Sequence, residues 1–239
     1  MNRRPALTPL LVAGLLALPV SHARAAVTPA EYAAIRVDIQ GDQAALQARW
    51  RAATNPEARA VVLIEARART FEAIAHQLIP AWKGTPWDFW GTTQIPGQGH
   101  IACGYYVSTL LEHAGFDVER VKLAQQASER IILTVTPRDL IWRTSDATVE
   151  RSLAPLREHG DGIYMAGLDY HVGLLVQEDG ETRWCDSSYL NPTAVTCQPA
   201  EQAFSYTSRY RVIGKLLSDP MVEGWLDDRA LPTHSGPLR

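Results

Sequence analysis

Two stretches of helical periodicity lead the chain. Thr28-Pro29-Ala30-Glu31 reads as a capping box, with proline in the first turn where a missing N–H costs nothing. Tyr32, Ile35, Ile39, Leu46 and Trp50 then recur near helical spacing, and Thr54-Asn55-Pro56 breaks the pattern. A second run places Val61, Ile64, Ala68, Phe71, Ala75 and Leu78 on one face, with arginines and glutamates opposite. This predicts an antiparallel helical pair over residues 26–80 whose apolar stripe packs on the rest of the molecule. From Trp82 the texture becomes aromatic and turn-rich, and residues 95–99 read as loop. A helix is expected from Cys103, with Val107, Leu110, Leu111 and Ala114 inward and Gly115 at its C-cap. Residues 117–159 look mostly helical and irregular. Strands are expected over 162–165, 170–177, 181–186 and 209–217, with Asp179-Gly180 as a hairpin turn. Helices first and antiparallel strands afterwards give an α+β domain. Residues 218–239, carrying proline and glycine, are expected to form a peripheral tail.

Composition adds that the chain is globular: of 239 residues, 46% are hydrophobic and 21% charged, which excludes collagen, coiled coil and disorder. No basic stripe accompanies the net charge of -3, so a nucleic-acid partner is not expected. The first 25 residues read as a secretory signal. Arg3 and Arg4 precede an apolar run from Leu10 to Val20, followed by Ala23-Arg24-Ala25, an A-x-A cleavage pattern. The run is too short to span a bilayer, and no cysteine near the cleavage site offers a lipid anchor. Cleavage there removes three arginines and no acid, taking the charge from -3 to -6. The expected location is periplasmic or extracellular. An acidic mature protein is not drawn electrostatically to an anionic wall, so substrate recognition has to be local.

The sequence holds three cysteines. In an oxidising compartment, Cys185 and Cys197 either form a bridge or remain two half-buried thiols; either way Cys103 is the free one. Motifs for zinc ligation (H-E-x-x-H, paired CxxC) and serine nucleophiles (G-x-S-x-G, S-x-x-K) are missing. Gly97-Gln98-Gly99-His100-Ile101-Ala102 matches a dinucleotide pattern but lacks its βαβ setting, so no cofactor is expected. Cys103 stands where a helix begins, and free N–H groups and the helix dipole favour a thiolate there. His171 opens an apolar strand and can serve the thiol as general base. Asp186, at the end of the next strand, can fix the imidazole tautomer. Strand alternation puts Asp186 on the face of Trp184, which favours it over Cys185 as the third residue. Gln98 or His100 is a candidate oxyanion donor.

These blocks resemble, in order, the NlpC-type papain-like cysteine peptidases that cut bacterial cell-wall peptides. Gly84-Thr85-Pro86-Trp87 with Trp90-Gly91 resembles the G-T-P-Y-x-W-G-G block. Cys103 to Val107 with Ala114-Gly115 resembles the nucleophile helix, Gly160-Asp161-Gly162-Ile163-Tyr164 the G-D block, and Tyr170-His171-Val172-Gly173 the S-H-V-G block. The resemblance implies a papain-like catalytic domain over 81–217 and Cys103, His171 and Asp186 as catalytic residues. It also implies a peptidoglycan stem peptide, or another acyl or amide compound, as substrate, with no metal or organic cofactor. Ala102 replaces the family's acid before the cysteine, Trp87 or Phe89 stands at its tyrosine position, and Asp186 stands where histidine is commoner. An acyltransferase or thioesterase on the same framework, and an inactive binding domain, are the alternative readings.

Overall fold

Nearly every side chain from Val172 to Gln177 is buried, and that sets the architecture: a strand apolar on both faces must lie between two layers. The computed structural model describes residues 26–233; the expected leader lies outside them. Its sheet has six antiparallel strands in the order β1-β6-β2-β3-β4-β5. They are β1 (Ile141–Ser145), β2 (Gly162–Leu168), β3 (Val172–Glu178), β4 (Glu181–Ser187), β5 (Val195–Pro199) and β6 (Tyr210–Lys215). The helices are α1 (Pro29–Ala52), α2 (Pro56–Glu72), α3 (Ile79–Trp82), α4 (Cys103–His113), α5 (Arg120–Ala124), α6 (Ser128–Val135), α7 (Val149–His159) and α8 (Asp219–Leu226). The α+β class is as expected.

Alternation along the strands sends residues to two cores. Val172, Leu174, Val176 and Cys185 pack with Tyr106, Val107, Leu110 and Leu111 of α4 on one face. Tyr164, Leu175, Trp184 and Ile213 pack with Leu153 and Leu156 of α7 on the other. Burial of a large apolar side chain contributes about 1.5–3 kcal/mol, so this double coverage holds β3 and β4 at the centre of the molecule.

Three expectations are corrected. The buried face of α2 is Val62, Ala66 and Thr70, while Val61 and Ile64 are 59% and 64% exposed. The small side chains of that face let α1 and α8 approach closely. A π-helical turn at Ala73–Leu78 then rotates the face, so Ala75 and Leu78 do become buried. Pro80, which lacks an N–H to continue the α pattern, lies just beyond it. Residues 117–159 are not simply helical: they include β1, an edge strand paired with β6 across some seventy residues of chain. The segment after Ser218 is not peripheral, because α8 buries Met221, Val222, Trp225 and Leu226.

α8 also fixes the far end of α4. Trp225 Nε1 donates to the Ala114 carbonyl (2.8 Å), and Gln43 Nε2 of α1 donates to the Gly115 carbonyl (2.9 Å). Gly115 has φ +90°, so its conformation calls for glycine, and a Cβ there would also displace Gln43 Oε1, 2.4 Å away. At the near end, a Cβ on Gly104 would lie 2.2 Å from the Ala124 carbonyl oxygen. The Cys103-Gly104 pair thus lets the start of α4 sit against α5.

Candidate active site

Cys103 is the first residue of α4, and Ala102, at the N-cap, supplies no side-chain hydrogen bond. The preceding segment is tied down strand by strand. The Ala102 N–H donates to the Gly91 carbonyl (2.9 Å) and the Ile101 N–H to the Pro86 carbonyl (3.0 Å). Ser187 Oγ donates to the Ile101 carbonyl (2.7 Å), joining this segment to the end of β4. Gly84 and Thr85 exchange backbone hydrogen bonds with Val195 of β5 (2.9 and 2.8 Å). Arg120, itself buried, donates to Thr109 Oγ1 and to the carbonyls of Thr92 and Thr93, clamping the 92–93 backbone onto α4.

His171 lies in the turn between β2 and β3, where the Leu168 N–H donates to its carbonyl (2.8 Å). The imidazole is buried, edge-on to Trp184 at 6.0 Å and to Tyr189 at 5.4 Å. Its Nε2 lies 2.8 Å from Asp186 Oδ2, and the other carboxylate oxygen accepts from Thr196 Oγ1 at 3.0 Å. Asp186 is wholly buried. Nδ1 has no hydrogen bond among the described residues. With Nε2 held by the carboxylate, Nδ1 is the nitrogen left to exchange a proton with the thiol. A Cβ on Gly173 would lie 2.6 Å from Trp184 and 2.9 Å from Asp186 Cβ. Glycine after Val172 is therefore what lets the indole and the carboxylate close over the strand.

The thiol and imidazole perturb each other. Burial pushes the Cys103 thiol up, but His171 and the backbone N–H groups of Val172 and Gly104 outweigh it, and the pKa is lowered overall. Burial alone would lower the His171 pKa. The Asp186 hydrogen bond and the thiol's interaction reverse this and raise it to about 9. Both shifts favour a thiolate–imidazolium pair near neutrality, titrating as a coupled unit. The sign gives a pH dependence. The thiolate exists well below the ordinary thiol range, and the imidazolium persists until pH rises through about 9. Iodoacetamide should alkylate native Cys103 at pH 6.5 at least about tenfold faster than the urea-unfolded chain, as followed by intact mass.

The sequence-expected residues are thus brought together at one end of the sheet: Cys103, His171 and Asp186. Gln98 and His100 are both exposed on the 92–100 loop, and neither contributes to the shift of the thiol. Cys185 and Cys197 form a disulfide directly across β4 and β5, one register step from the Asp186–Thr196 pair. Sequence reading missed Thr196, Ser187 and Tyr189. Thr196 was findable only through β5, which was not recognised as a strand, since its role follows from standing opposite Asp186.

A cleft of about 920 Å³ lies elsewhere, between α2 and the opposite end of the sheet, lined by Ile64, Phe71, Ile163 and Leu217. Among the described residues there is no cluster of His, Cys, Asp or Glu able to hold a metal ion. Nor, among them, is any helix long and apolar enough to cross a membrane. No protein-family model matches the chain, and neither the curated proteins nor the solved structures searched contain a match to it.

Proposed function

We propose that this chain is an exported, papain-like thiol hydrolase that cleaves an amide bond in peptidoglycan stem peptides. The observation that carries the reading is the relay from Asp186 through His171 to Cys103. A buried carboxylate holds one imidazole nitrogen, and the free nitrogen serves a thiol of lowered pKa at a helix start. The ordered resemblance to NlpC-type peptidases supplies the substrate class, and the disulfide is compatible with an oxidising compartment outside the cytoplasm.

In the reaction, the Cys103 thiolate attacks the amide carbonyl carbon. The oxygen gains negative charge, which the N–H groups at the start of α4 are suited to stabilise. The His171 imidazolium gives its Nδ1 proton to the amide nitrogen, the C–N bond breaks, and the amine leaves a thioester on Cys103. Neutral Nδ1 then takes a proton from water. The resulting hydroxide adds to the thioester, and the thiolate departs, releasing the acid and restoring the ion pair. Asp186 keeps the ring in the orientation and tautomer that both proton transfers require.

Digestion of purified peptidoglycan by residues 26–239, analysed by mass spectrometry beside Cys103→Ala, tests this. New soluble fragments from the unaltered protein alone are expected, and their masses identify the bond. Intact peptidoglycan, with a thiol that still alkylates rapidly at pH 6.5, would remove the wall as substrate and retain the thiol enzyme.

A further inference from the structure

Exposed aromatic rings stand on segments that adjoin those carrying Cys103 and His171, and the chemistry of amide cleavage does not need them. Phe89 and Trp90 are 65% and 81% exposed, with rings edge-to-face at 4.9 Å. Their turn is fixed: the Trp90 N–H donates to Asp88 Oδ1 (2.8 Å), and the Gly91 N–H donates to the Asp88 carbonyl (3.0 Å). The Gly91 carbonyl in turn accepts the Ala102 N–H, so the two rings stand on the segment paired with the one that delivers Cys103. Tyr170, 94% exposed, tips the β2–β3 turn immediately before His171. Tyr189 is half-exposed and sits between the His171 imidazole and Trp87. Single exposed apolar residues are ordinary; four rings on three segments, one against the His171 ring, one next to His171 in the chain and two on the segment hydrogen-bonded to Ala102, mark a binding surface.

The chemistry of this rim selects its occupant. The rings are aromatic, with flat, electron-rich faces suited to the C–H faces of a pyranose. The turns that carry Trp90 and Tyr170 hold Asp88 and Asp169; Asp88 Oδ1 accepts the Trp90 N–H and Asp169 Oδ2 accepts from Ser208, Arg209 and Tyr210, which leaves Asp88 Oδ2 and Asp169 Oδ1 as acceptors for hydroxyl and acetamido groups. The cation beside Asp169 is Arg209, and it is paired with Asp146 at 2.9 Å, so an anionic lipid headgroup would have to compete with that carboxylate for it. Because the Phe89–Trp90 turn is already ordered, stacking on it sacrifices little conformational freedom.

We infer that Phe89, Trp90, Tyr170 and Tyr189 form sugar-stacking subsites that hold the N-acylated amino-sugar strand to which the cleaved peptide is attached. This rests on the cell-wall reading above. It makes the glycan, rather than net charge, the handle by which an acidic protein finds its substrate.

Two independent measurements test it. The first is binding of an N-acetylglucosamine hexamer to Cys103→Ala, followed by tryptophan fluorescence. The second is the preference, in kcat/KM, for disaccharide-linked over free stem peptide. Trp90→Ala and Tyr170→Ala should each weaken hexamer binding and reduce the preference by about tenfold, with Trp90→Phe and Tyr170→Phe restoring most of both. Hexamer binding that depends on these rings, in a protein that cleaves no cell-wall peptide, would sustain the sugar subsites and refute the cell-wall peptide as the substrate. Cleavage of linked and free peptides with equal kcat/KM, unaffected by Trp90→Ala, would overturn the subsites and leave the hydrolase standing. Binding to neutral phosphatidylcholine vesicles without binding to the hexamer would overturn them in favour of a lipid.

Discussion

Replacement of Cys103 or His171 by alanine is expected to lower kcat/KM for stem-peptide cleavage by about 10⁴-fold or more, with the two variants failing for different reasons. Cys103→Ala removes the attacking atom and leaves the His171–Asp186 hydrogen bond in place, so near-ultraviolet circular dichroism and urea unfolding should stay close to the unaltered protein. His171→Ala keeps the thiol but removes the largest influence that lowers its pKa. Burial, which opposes ionisation at this position, then prevails. The thiol should become neutral at pH 6.5, and iodoacetamide labelling at that pH should fall sharply while labelling at pH 10 recovers. If His171→Ala labels as fast as the unaltered protein at pH 6.5, the ion pair is not the reactive species.

The second large effect concerns Asp186. It is fully buried and holds Nε2 of an imidazole that is itself almost entirely buried, so Asp186→Ala leaves a desolvated ring without its partner. Loss of one member of a buried charged pair costs about 3–5 kcal/mol, which urea denaturation would show as an earlier midpoint. Asp186→Asn keeps an acceptor oxygen for Nε2 and removes only the charge, so it should be the milder change in stability. Asp186→Ala removes the hydrogen bond that most raises the His171 pKa, and both variants remove the carboxylate charge that also raises it, so the alkaline limb of the activity profile should move below its position near pH 9, further in Asp186→Ala. A limb that stays in place in Asp186→Asn would show that the carboxylate does not set the charge state of the ring.

What could be read from the sequence divides along a physical line. Elements specified by their own residues were legible. The Thr28 capping box, the α4 helix ending at Gly115 and the β3–β4 hairpin each carry their signal locally. Asp186 was reachable as well, because alternation along β4 is a two-residue rule, and the contacts of Gly173 with both Trp184 and Asp186 follow that rule. Elements specified by distant partners were not legible. β1 is short, half-exposed and defined by β6; β5 is an edge strand whose partners are β4 and the 84–86 backbone. The face of α2 was misread because its longest aliphatic side chains are not the buried ones. Close helix contact selects Ala66 and Thr70, and periodicity weighted by hydrophobicity passes over them.

The anchoring of α4 by α8 sets an order of events. The helix that presents Cys103 is braced at its far end by Trp225 and by Gln43, which are distant in the chain and adjacent in the fold. α8 buries four large apolar side chains against elements laid down long before it. In a chain that emerges amino-terminus first, the last brace on the nucleophile's helix arrives only after every strand has been delivered. A partly emerged chain therefore has its cysteine, histidine and aspartate already in hand but not yet the rigidity that aligns them. Alignment of the cysteine with its histidine is in this sense a property of the finished molecule, completed by its last helix.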